Sequence, residues 1–217
     1  METLEDGKME SKKINLTQLL NTRELYRTLI EYDNAIDILY KNTTLDKIPA
    51  PFIYLIRHSI EIGLKSTILY LCEKSDSNSM CTEEKLHGHK LSRLYNCFNQ
   101  HWQNIAKKYD LKNQAETLKD IINDTDKYYK ELKELIDFFD EYDEESTLFR
   151  YGNKNPMQIE QKYSFLESEY SGTVTLIDVD KFIEKYKKSI LVFRYLEDAL
   201  TDFFEYYKDE KILKEIQ

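Results

Sequence analysis

The stretch from Pro49 to Glu73, PAPFIYLIRHSIEIGLKSTILYLCE, limits what this chain can fold into more than any other. Two prolines open it, and no proline follows until Pro156. Between Phe52 and Cys72 nearly every face of a helix would be apolar, and a helix apolar almost all round is a buried, central one. One stripe differs. At about 100° per residue, Tyr54, Arg57, His58, Glu61 and Lys65 share a single arc of roughly 100°. Arg57–Glu61 and Glu61–Lys65 are both i,i+4 pairs. An isolated buried ion is very costly, so such charges must pair or face a wet cleft. The stripe is therefore either a structural ion network or the wall of a site, and both readings stay open.

The rest of the chain supplies partners for that helix. Its 217 residues suit one domain, and with only 5 Gly and 3 Pro the breaks are few and the helices long. Residues 1–13 are polar and read as a flexible N-terminus; residues 14–217 read as a single helical domain. A first helix is expected from about Thr17 to Asn42, and NTTLDKIPAP is a loop before a central helix that begins near Pro51. Gly63, inside that helix, marks a close approach of another helix. A polar, Ser-rich loop over 74–87 precedes a third helix, His89 to about Tyr109, and a fourth from about Asn113 to Asp143. A β-hairpin insertion is expected over about 158–177, with alternation in Tyr163, Phe165, Val174 and Leu176 around a Ser171-Gly172 turn. Asp178 or Asp180 caps a last helix, about Val179 to Leu213. The fold class is all-α: a bundle of about five long helices with a small β-hairpin before the last.

Charge and residue usage remove several functions. The net charge is −9, whereas a protein built only to grip nucleic-acid backbone is basic. RNA or a nucleotide would have to bind in a local basic pocket. No apolar run approaches ~18 residues free of charge, so no membrane span is expected. The start lacks the apolar core of a signal peptide. Cys72, Cys81 and Cys97 have no metal-type spacing and read as free thiols of a reducing compartment. The expected location is the cytoplasm. There is no Gly-rich phosphate loop, no Cys-x-x-Cys and no His-Glu-x-x-His, so no metal or cofactor is implied. His87 and His89 would need further ligands to hold a metal. His89 reads instead as a helix-start residue packing on the central helix, and His101 as a core or half-exposed histidine. The fourth helix ends in the acidic run DFFDEYDEES, which opposes the helix dipole. Either it is a solvated, fraying end, or Asp140 or Asp143 turns inward to a cation such as Arg150.

Three segments belong together: RHSIEIGLK (57–65), HGHKLSRL (87–94) and FRYG (149–152). In them the chain resembles the HEPN superfamily, the helical domains named for higher eukaryotes and prokaryotes nucleotide binding. Glu61 and Lys65 match its Glu with Lys four residues on. His89, Lys90 and Leu91 match its His-x-Leu opening the following helix. Arg150 and Tyr151 match its later Arg-Tyr pair. Order and approximate spacing agree over residues 50–152.

The resemblance implies a helical bundle that often dimerises, with many members acting as RNases in toxin–antitoxin pairs and antiviral defence. Their catalytic signature is an Arg followed four to six residues later by His, in a cleft at the dimer interface. Here those positions after Arg150 are Lys154, Asn155 and Pro156, and no His follows His101. The signature is incomplete. Arg150 can still grip phosphate bidentately, and His58 and His89 are the imidazoles available for proton transfer. The candidate catalytic residues are thus Arg150, His89 and His58; Arg57, Glu61, Lys65 and Tyr151 are candidate binding residues. The function expected is that of an RNA- or nucleotide-associated protein of a prokaryotic defence or toxin–antitoxin system. An active HEPN-type ribonuclease and a non-enzymatic scaffold or regulatory subunit are the alternatives. A homodimer or a partner protein would join through the long fourth and last helices.

Overall fold

The computed structural model describes residues 25–75, 86–109, 116–151, 160, 162–169 and 174–216. Helix α1 (Leu25–Asn42) leads through a 3-10 turn (Leu45–Lys47) into α2 (Pro49–Ser75). Then come α3 (Leu91–Lys108), α4 (Glu116–Asp143) and the four-residue α5 (Leu148–Tyr151). Strands β1 (Leu166–Glu169) and β2 (Val174–Ile177) precede α6 (Val179–Ile216). The described chain is thus mostly helical, with one small antiparallel two-stranded sheet. Among the described residues no helix is long and apolar enough to cross a membrane.

The proline-led helix is the centre of the bundle. It packs against α1, α3, α5 and α6, while α4 packs mainly on α6. Ile56, Ile60, Leu64, Ile68 and Leu71 are all fully enclosed. The helix begins at Pro49 rather than near Pro51. Both prolines occupy its first turn, where a missing N–H is no loss, and the first full helical bond runs from Phe52 N–H to Ile48 O at 3.1 Å. Gly63 is where α6 comes closest: a Cβ there would lie 2.4 Å from Cδ2 of Phe193. The expected close approach is real, and the intruder is an aromatic ring.

Two helix starts are capped by acids at the end of α4. Helix α3 begins at Leu91, not at His89. Its N-cap position is Lys90, whose side chain supplies no cap. Asp140 of α4 does so instead, taking the N–H groups of Leu91 (3.0 Å) and Ser92 (2.8 Å). His89 is left in the extended lead-in. Asp143, the last residue of α4, caps α5 in the same manner through the N–H groups of Thr147 and Leu148, both at 2.6 Å. Ser146 makes the reversal between them with φ at 59°, a left-handed conformation uncommon without glycine. The acidic run is therefore no frayed end: Asp140 and Asp143 both turn inward. The cation that Asp143 meets is Arg57, not Arg150.

In the hairpin, Leu166 pairs with Ile177 and Glu169 with Val174; the expected Ser171-Gly172 turn lies outside the described residues. Tyr163 and Phe165 precede β1 rather than belong to it. They are buried in an aromatic cluster with Phe138, Tyr142 and Phe182. Asp178, not Asp180, caps α6 by accepting from Lys181 N–H at 3.1 Å, whereas Asp180 takes the Tyr40 hydroxyl at 2.6 Å. The expectation of free thiols holds for Cys72 but not for Cys97, which is disulfide-bonded; Cys81 lies outside the described residues.

Candidate functional site

The polar stripe of α2 meets the lead-in to α3 and the end of α4. At its middle is Arg57, whose side chain is 0% exposed. Its Nη1 donates to Glu61 Oε2 (3.1 Å) and its Nε to Asp143 O (3.1 Å). Its Nη2 donates to His89 O (2.8 Å) and Glu144 O (3.1 Å). Asp143 Oδ2 takes no hydrogen bond, but lies 3.5 Å from Arg57 Nε. The last carbonyls of a helix lack intrahelical donors and form the negative end of its dipole. A planar guanidinium with five donors fits that end well. Arg57 thus ties three elements together. Expected as a binding residue, Arg57 has its donors turned to protein atoms in this structure.

Glu61, 2% exposed, is the hub. Its Oε1 accepts from Lys65 Nζ (2.7 Å) and meets His89 Nδ1 at 2.9 Å. Its Oε2 lies 3.9 Å from His58 Nδ1. Burial pushes the Glu61 carboxyl up, but the hydrogen bonds and charges of Lys65 and His89 outweigh it, and the net shift is downward. The group stays a carboxylate at neutral pH. With a carboxylate facing Nδ1, the neutral imidazole of His89 carries its proton there, which leaves Nε2 as a lone-pair acceptor. The His89 side chain is 47% exposed.

His58 stands one turn back. Burial lowers its pKa, against the pull of Glu61 and with the help of Lys65 and Arg57. Its ring stacks on Tyr54 (centroids 5.5 Å apart, 13° between planes) and meets the edge of Tyr32 at 5.1 Å. Arg150 reaches the same tyrosine from α5: its guanidinium carbon lies 5.4 Å from the Tyr54 centroid and 5.4 Å from that of Tyr151. Its Nε donates to Ser146 O. Unlike Arg57, Arg150 forms no ion pair among the described residues.

The structure therefore brings Arg57, Glu61, Lys65 and His89 into direct contact and puts His58 at their edge. Arg150 and Tyr151 join through the Tyr54 ring. Tyr54 and Glu61 are seven residues apart, about 10 Å along the helix, so the site has two poles, an imidazole–carboxylate pole and a guanidinium–aromatic pole. Among the described residues no group of His, Cys, Asp and Glu is arranged to hold a metal ion. The sequence offered Asp140 or Asp143 as an inward-turning acid, but not their partners: the Leu91 and Ser92 N–H groups for Asp140, and Arg57 with the Thr147 and Leu148 N–H groups for Asp143.

A separate groove of about 650 Å³ runs beside α4. Lys133 pairs there with Asp137, and Lys162 with Glu141. No family model matches the chain, nor does any curated protein or solved structure.

Proposed function

We propose that this chain is a HEPN-like, RNA- or nucleotide-associated protein serving a prokaryotic defence or toxin–antitoxin role, acting with a second copy or a partner protein. One observation carries the reading. A carboxylate hub bonded to Lys65 and His89 is linked, through His58 and Tyr54, to a guanidinium, Arg150, that no carboxylate neutralises among the described residues. The exposed ends of this arrangement are cationic or aromatic on a chain of net charge −9. That is the local chemistry a phosphodiester needs, since an unpaired Arg can take phosphate oxygens bidentately.

The Glu61–His89 contact favours a second reading, an active ribonuclease. A carboxylate-held imidazole with a free Nε2 is a general base in waiting. It would take over the role of the histidine missing downstream of Arg150. The test mixes purified protein with single-stranded RNA, with and without divalent metal, beside Arg150→Ala and His89→Ala. Binding weakened in Arg150→Ala is the result expected; a wild-type protein that neither binds nor cleaves contradicts the proposal. Cleavage without metal, lost in His89→Ala while binding persists, selects the ribonuclease reading.

A further inference from the structure

The guanidinium–aromatic pole has a geometry that a phosphate grip alone does not require. Four groups follow one another in contact: Tyr151, the Arg150 guanidinium, Tyr54 and His58. The Tyr54–His58 pair is close to parallel at 13°. The ladder is anchored at its inner end, because His58 sits 3.9 Å from the Glu61 carboxylate and against Tyr32. It is open at its outer end, where Tyr151 is 78% exposed, the most exposed large hydrophobic side chain described. A solvent-facing tyrosine gains little for folding. The Tyr151 ring lies under the Arg150 guanidinium, on a short helix whose start Asp143 caps.

We propose that Arg150 and Tyr151 form a stacking platform for an unpaired nucleobase, carried on the short helix that Asp143 caps. The inference rests on the RNA-associated reading and specifies its ligand: a single-stranded segment with at least one base free to stack. A planar, electron-rich ring next to a guanidinium suits any base, because every base has a π-face. The same guanidinium can meet the phosphate beside that base. A duplex, with its bases stacked internally, cannot supply such a face.

The test compares two labelled probes, a single-stranded oligoadenylate and an oligonucleotide of the same length whose backbone carries abasic residues. Wild type should bind the oligoadenylate about 5- to 100-fold more tightly than the abasic strand. Tyr151→Ala should erase that ratio, and Tyr151→Phe should keep it, since the ring and not the hydroxyl does the stacking. Tyr151 is exposed, so these variants fold, and circular dichroism checks it. Equal affinity of wild type for both probes overturns the platform while leaving RNA association intact. Binding of neither probe overturns the functional reading and the platform together. A dimer that Tyr151→Ala dissociates, with the probe ratio unchanged, gives the ring to a second copy of the chain and also overturns the proposal.

Discussion

At the scale of single residues, Arg57 and Arg150 show how environment decides what a guanidinium does. Both match an expectation of ligand binding drawn from sequence, yet one is enclosed and bonded to protein while the other is open. Removing one partner of a buried, hydrogen-bonded ion leaves the rest uncompensated. Arg57→Ala should therefore cost about 3–5 kcal/mol in chemical denaturation. Arg57→Lys should recover little, because an ammonium cannot span Glu61, Asp143 and two backbone carbonyls at once. Near-normal stability of Arg57→Ala would contradict the positioning role. His58 sets a pH dependence. Its folded pKa lies below the ordinary 6.5, so the unfolded chain binds the proton first as pH falls. Its contribution is complete above 6.5 and is lost on the acid side. His101, lowered by burial, acts in the same direction. Thermal midpoints should fall between about pH 7.5 and about pH 5.5, and His58→Gln should narrow the difference. A midpoint that rises on acidification would have the wrong sign.

At the scale of elements, local patterning was legible and borrowed contacts were not. The apolar girth of α2, its proline entry and the Gly63 contact follow from residues near one another in sequence. The start of α3 does not, because its cap arrives from Asp140, 49 positions from Leu91. With Lys90 at the cap position, sequence alone favoured a helix from His89. The consequence bears on the site, because His89 stands in the lead-in to α3, where its Nδ1 meets Glu61 at 2.9 Å. Likewise Tyr163 and Phe165 alternate like a strand, but packing against α4 and α6 claims them for the core before the hairpin begins. Asp140→Ala should then loosen α3 by about 0.5–2 kcal/mol, the usual worth of a cap, with early hydrogen exchange at Leu91 and Ser92. Exchange at those amides unchanged from wild type would deny Asp140 that task.

At the scale of the whole molecule, a net charge of −9 sits with a concentrated exception. Most described surface lysines pair with acids on their own or neighbouring helices, as Lys188 does with Glu184 and Lys187 with Asp33 and Asp37. Arg150 is a contrast, set against Tyr54 and Tyr151 with no ion pair among the described residues. The sequence named Glu61, His89 and Arg150 in three separated segments; α2 touches both the α3 lead-in and α5, so His89 reaches Glu61 directly while Arg150 meets Tyr54. It could not show that they form two poles rather than one, since that depends on which side of Tyr54 the short α5 lies. The central claim, that this exception is a site for a phosphodiester, is tested most directly by the affinity for single-stranded RNA across a salt series. Binding should weaken as salt rises, and Arg150→Ala should weaken it further and flatten the log–log slope by about one. Absence of binding at low salt, or a slope and affinity identical in Arg150→Ala, would contradict it.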